Sequence, residues 1–66
     1  MNIAKSIRVG LAYKNMSAQE LAKTLDKTKQ TVSQWMNNKA DPRLADVVKM
    51  AEIFNVCVSV FISWGE

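Results

Sequence analysis

The sequence has no histidine, one cysteine, one proline and two glycines in 66 residues. Each shortage removes a class of function. Without histidine, and with Cys57 alone, the usual nitrogen and sulfur ligands for zinc or another transition metal are missing, so no metal site is expected. A single cysteine cannot form a disulfide within the chain, and a lone thiol fits a reducing compartment. Two scattered glycines rule out a glycine-rich phosphate loop. The carboxylates are also scattered, and Cys57 sits in an apolar run with no base near it in sequence. No catalytic residue is proposed, no cofactor is expected, and the chain reads as a non-enzyme. Cys57 reads as a small buried hydrophobe. No apolar run approaches the roughly 18 residues a membrane span needs, and MNIAKSIRVG lacks the apolar stretch of a signal peptide. A cytoplasmic protein with no membrane partner is expected.

What is present is charge of one sign, placed unevenly. Residues 1–43 carry eight Lys or Arg against Glu20, Asp26 and Asp41, a net of +5. Residues 44–66 carry Lys49 against Asp46, Glu52 and Glu66, a net of −2. A basic front suits nucleic acid. The back is apolar and ends FNVCVSVFISWGE. A chain of this length buries only roughly 60% of its unfolded surface, so an apolar end invites a partner.

Helical signals punctuate the chain, and one domain over 1–66 is expected. Ile3, Ile7 and Leu11 recur every four residues and predict a first helix over about 2–14, closed by Asn15 in a left-handed conformation. Gly10 weakens that helix by about 1 kcal/mol relative to Ala, so it either admits a close neighbour or is merely tolerated. Ser17 and Glu20 form a capping box, with Met16 and Leu21 as its hydrophobic staple. The second helix runs from there to about Leu25. DKT, residues 26–28, is a tight turn, and Thr28 caps a third helix that Asn37 and Asn38 end. A fourth helix is expected over about 43–54, with Leu44, Val47, Val48, Ala51 and Phe54 apolar.

Two short helices joined by a three-residue turn, with a small residue at their crossing, make a helix-turn-helix. Here the unit is AQELAKTLDKTKQTVSQWMN, residues 18–37, with Ala22 at the crossing. SAQELA (17–22), TKQTVSQW (28–35), NNK (37–39) and PRLADVVKMAEIFNV (42–56) together resemble the Cro and phage-repressor family, the lambda-repressor-like domains of bacterial DNA-binding proteins. The likeness covers about 7–62. It implies an all-α, compact five-helix fold with the helix around 29–37 in the DNA major groove.

On a helical wheel, Val32, Trp35 and Met36 turn inward. Lys29, Gln30, Ser33, Gln34 and Asn37 turn out, with no acid among them. Gln pairs with adenine and Lys donates to guanine, so Lys29, Gln30 and Gln34 are the expected base readers. Thr31 is expected on a thymine methyl or a phosphate. Phosphates are expected at Ser17, Ala18 and Gln19, where the second helix starts, at Lys27 in the turn, and at Asn37, Lys39 and Arg43. The sequence departs from the family in two places. The turn has Asp26-Lys27 where Gly and an aliphatic residue are common. Leu11 and Met36 stand where the family often has an Arg–Glu pair, which suggests that an apolar contact replaces it.

By the resemblance, 58–63 is a fifth helix, with Cys57 where the family often caps with Ser and Phe61 closing the core. Val58, Val60 and Trp64 would then form a twofold dimer contact, and Trp64→Asp would cut operator binding without unfolding the monomer. The residues also allow a dimerising β-strand at 57–63, because Val56, Val58, Val60, Ile62 and Trp64 alternate. The function expected is a Cro-like repressor of a phage, prophage or mobile element. It would bind a near-palindromic double-stranded DNA operator as a homodimer in the bacterial nucleoid, with no small-molecule ligand. An antitoxin or restriction-modification controller shares the fold. An interaction module that lost DNA binding would be expected to show an acidic or apolar face where Lys29, Gln30 and Gln34 stand.

Overall fold

The computed structural model describes residues 2–66. Five helices follow in order: α1 (Ile3–Lys14), α2 (Ala18–Thr24), α3 (Lys29–Met36), α4 (Leu44–Ile53) and α5 (Val58–Ser63). No strand occurs among the described residues, and the domain measures 25 × 21 × 21 Å. The all-α, five-helix expectation holds.

Each helix is short, so its ends matter as much as its length. Asn2, Ser17 and Thr28 each accept a hydrogen bond from a backbone N–H three residues on, at Lys5, Glu20 and Thr31, all at 3.1 Å. Glu20 returns the bond to the Ser17 N–H at 3.2 Å and completes the capping box. Arg43 cannot accept from its helix, so only the returning half forms there, from the Arg43 N–H to Asp46 Oδ2 at 3.2 Å. Cys57 makes no side-chain cap bond.

The C-terminal ends of four helices share one solution. Asn15, Asp26, Asn38 and Asn55 all adopt positive φ, between 52° and 59°. At each, the next residue's N–H reaches back five residues: Met16 to Leu11, Lys27 to Ala22, Lys39 to Gln34 and Val56 to Ala51, at 2.8–3.0 Å. This is the Schellman closure, made without glycine. The side-chain oxygen of Asn or Asp lowers the usual cost of the left-handed region.

Both glycines serve close approach instead. A Cβ on Gly10 would lie 2.5–2.8 Å from the Phe54 ring. Gly10 therefore admits its neighbour rather than being merely tolerated. A Cβ on Gly65 would run into the Asn2 carbonyl and the Ser6 hydroxyl.

The core joins Ile7 and Leu11 of α1, Leu21 and Ala22 of α2, and Val32 and Trp35 of α3 to Val47, Met50, Ala51, Phe54 and Phe61. In α4 the buried stripe is Val47, Met50, Ala51 and then Phe54, a 3-1-3 spacing that follows one helix face. Met50, absent from the apolar set expected of this helix, belongs to it and is fully buried. Leu44 lies on the same stripe but at the first residue of the helix, where nothing covers it, and it is 75% exposed. Val48 is also exposed.

The strand alternative at 57–63 is overturned, because α5 occupies 58–63. A strand that set Val58, Val60 and Ile62 on one face would turn Phe61 away from the core. As a helix the segment buries Phe61 completely, stacked on Phe54 with ring centroids 5.8 Å apart. Cys57, expected to be buried, is exposed.

Candidate nucleic-acid interface

The helix-turn-helix lies where the sequence put it: α2, a turn over 25–28, and α3. Ala22 is buried at the crossing, and Val32 and Trp35 pin α3 to the core. Met36 is half-buried against the same core, and Leu11 is inside it. A link between α1 and the far end of α3 comes from one turn earlier than the family pattern suggests. Arg8 Nη2 donates to the Met36 carbonyl at 3.0 Å.

Pinning one face of α3 presents the other. Lys29, Gln30, Gln34 and Asn37 are exposed, and Thr31 and Ser33 are half-buried. No acidic residue lies within α3. Thr31 differs from its neighbours, because its hydroxyl sits 2.9 Å from that of Thr28 in the helix cap. Its methyl is the group left for a base. Asn37 Nδ2 donates to Ser33 Oγ at 3.3 Å, which orders both at the end of the helix.

The expected phosphate ligands fall at the start of α2, in the turn and in the α3–α4 connection. Ser17, Ala18 and Gln19 open α2, where the first backbone N–H groups lack helical acceptors. Ser17 uses its hydroxyl for the cap, so its share in an anion site would be through its backbone. Lys39 and Arg43 are exposed in the α3–α4 connection. Lys27 carries a partner that the sequence did not reveal: its Nζ is 3.9 Å from Asp46 Oδ1 of α4. That pair ties the turn to the cap of α4, since Asp46 Oδ2 holds the Arg43 N–H.

The residues expected at a dimer contact separate into two kinds. Val60 is 38% exposed. Val58 and Trp64 are half-buried against the chain's own core. Trp64 packs with Tyr13, Phe54 and Phe61 at centroid distances of 5.6, 6.1 and 6.0 Å. The expectation that Trp64→Asp spares the monomer is therefore corrected: a carboxylate there would break an aromatic cluster. A second, partly apolar surface lies elsewhere on the domain. Ile3, Pro42, Leu44, Val47 and Ile62, with Asn2, Asn38 and Asp41 at its polar side, line a groove of about 580 Å³. Its signal in the sequence is Leu44, a large apolar residue at the first position of a helix.

Among the described residues no cluster of His, Cys, Asp or Glu could hold a metal ion, and no helix is long and apolar enough to cross a membrane.

A model of the helix-turn-helix family matches residues 14–59, from the last residue of α1 to the second of α5. No curated protein and no solved structure gives a significant match. The match covers the capping box, the turn, the outward edge of α3 and the whole of α4. The chain belongs to the helix-turn-helix family of the Cro/C1 type, a family of DNA-binding transcription regulators.

Proposed function

We propose that the protein is a Cro-like repressor of a phage, prophage or mobile element, bound as a homodimer to a near-palindromic operator in the bacterial nucleoid. The observation that carries this is the outward edge of α3. It offers Lys29, Gln30 and Gln34 to solvent with no acid in the helix, and packing and caps fix its other face. Lys29, Gln30 and Gln34 read base edges in the major groove, where Gln suits adenine and Lys suits guanine. The Thr31 methyl meets a thymine or the backbone. Ser17, Ala18, Gln19, Lys27, Asn37, Lys39 and Arg43 hold phosphates and set the register.

One such helix reads only a few base pairs. A twofold pair reads two half-sites about 34 Å apart, which is why the operator should be an inverted repeat. The pairing surface includes exposed Val60 and the outer edges of Val58 and Trp64. The open apolar groove at Leu44 and Ile62 supports a wider contact than the tail alone. A repressor of this kind acts by occupying a promoter and excluding polymerase.

The test is selection of bound duplexes from a random DNA pool at stated salt. An enriched inverted repeat with half-sites one turn apart supports the reading. Binding without enrichment would overturn sequence-specific recognition. Val60→Asp separates pairing from reading. It should lower cooperative binding to the full repeat, leave binding to a half-site unchanged, and leave thermal unfolding of the monomer intact.

A further inference from the structure

Lys23 was not among the residues expected at the DNA. Its place in the fold argues that it belongs there. Gln19, Ala22 and Lys23 follow one side of α2, spaced three residues and one residue apart, and Asp26 lies in the turn beyond its end. Together with Lys27 and Lys29 they line a groove of about 460 Å³ between α2 and the start of α3. Buried Ala22 keeps its floor low. Three lysines line it against one carboxylate residue, Asp26. One end of the groove is Lys29, the first residue of the recognition helix. Another is Gln19, at the opening of α2.

The charges on the rest of the molecule set Lys23 apart. Four of the nine cationic side chains already have a partner. Lys5 donates to the Glu66 carbonyl, Arg8 to the Met36 carbonyl, Lys14 lies over the Tyr13 ring, and Lys27 faces Asp46. Among the described residues, Lys23, Lys29, Lys39, Arg43 and Lys49 have no such partner. Lys29, Lys39 and Arg43 are already placed at the DNA face. Lys49 is exposed on α4 and lines neither groove. Lys23 is the remaining cation that shares a cavity with a base reader.

We infer that the α2–α3 groove is a phosphodiester site, in which Lys23, with Gln19, holds a backbone phosphate of the duplex beside the bases that Lys29 and the rest of α3 read. Lys27 lends a weaker hand, since Asp46 competes for it. The site carries no sequence information. It positions α3 in the groove and adds one released counterion to binding.

This rests on the DNA-binding reading above. The experiment measures the affinity of the whole protein for the selected duplex and for an unrelated duplex between 50 and 200 mM salt. It compares wild type with Lys23→Ala, Lys23→Arg and Lys49→Ala. One lost phosphate contact lowers the slope of log K on log salt by about 0.9. Wild type should then lose about 3.5-fold more affinity than Lys23→Ala across that range, equally on both duplexes. Lys23→Arg should restore the slope, and Lys49→Ala should leave it unchanged. Alanine favours helix in α2, so loss of fold is not the expected outcome. An unchanged slope in Lys23→Ala, on a duplex that wild type binds, overturns the phosphate site alone. An equal drop in Lys49→Ala overturns it too, by assigning the effect to net charge. Failure of wild type to bind any duplex overturns the DNA-binding reading and this site with it.

Discussion

The ends of α1 and α4 and the ends of α2 and α3 are built alike and serve opposite purposes. All four close through a left-handed Asn or Asp and a hydrogen bond that reaches back five residues. The difference lies in the residue that donates that bond. After α1 and α4 it is Met16 and Val56, which pack on the core. After α2 and α3 it is Lys27 and Lys39, which stay exposed. One backbone device therefore makes two corners that hold the core and two that leave a lysine exposed. The side chain next to the reversal, not the reversal itself, decides which job a corner does.

That contrast can be tested from both sides. The largest effect should fall on reading, next to the second charged corner. Gln34, whose carbonyl accepts the Lys39 bond, should lose about 1–3 kcal/mol of operator binding when replaced by Ala, with specificity relaxed at one base and thermal stability unchanged. Competition binding against single-base operator variants would show it; a uniform loss across all variants would move Gln34 from base to backbone. Next comes an exchange of corner types. Val56→Lys puts a charge where apolar contact holds α4 to α5, and should cost about 1–2 kcal/mol in denaturant unfolding. Lys39→Val, the reverse exchange, should leave stability within about 0.5 kcal/mol and weaken binding to every duplex. Equal stability losses in the two variants would erase the distinction. The smallest effect concerns the reversal that both kinds of corner share. Asp26→Gly should stabilise by about 0.5 kcal/mol, because relief of the left-handed backbone exceeds the added freedom of the unfolded chain. A shifted denaturation midpoint at constant slope would register it. Destabilisation would mean that the Asp26 carboxylate itself has a task in the turn.

The corners were legible in the sequence because they are local. Ser17 with Glu20, Thr28, Asn15, Asp26 and Asn38 are each read within a few neighbours, and each holds in the structure. Asn55 belongs to the same set, with φ 59°, and no sequence expectation covers it. The outward edge of α3 was legible for a related reason: Val32 and Trp35 fix the wheel. The tail was not. Its alternating pattern fits a strand and its 58–61–62 spacing fits a helix, and the choice is made by the Phe54 ring, which lies in another helix. Trp64 likewise takes its partners from α1, α4 and α5, so its exposure could not be inferred from its neighbours. The Lys27–Asp46 pair and the Arg8–Met36 bond join residues distant in sequence, and no local pattern announces them.

Gly65 lies against the carbonyl of Asn2 and the hydroxyl of Ser6, and Lys5 reaches the carbonyl of Glu66. The two extremities of the described chain therefore meet on one side of the domain, and the polypeptide is almost a ring. A ring can be opened anywhere that its backbone is exposed and free of helix. Joining residue 66 to residue 2 through a short linker and cutting in the 39–42 connection would give a permuted chain in which α4 comes first and α3 last. The recognition helix would then hang from a free end, and a second reading module could be appended directly beside the DNA.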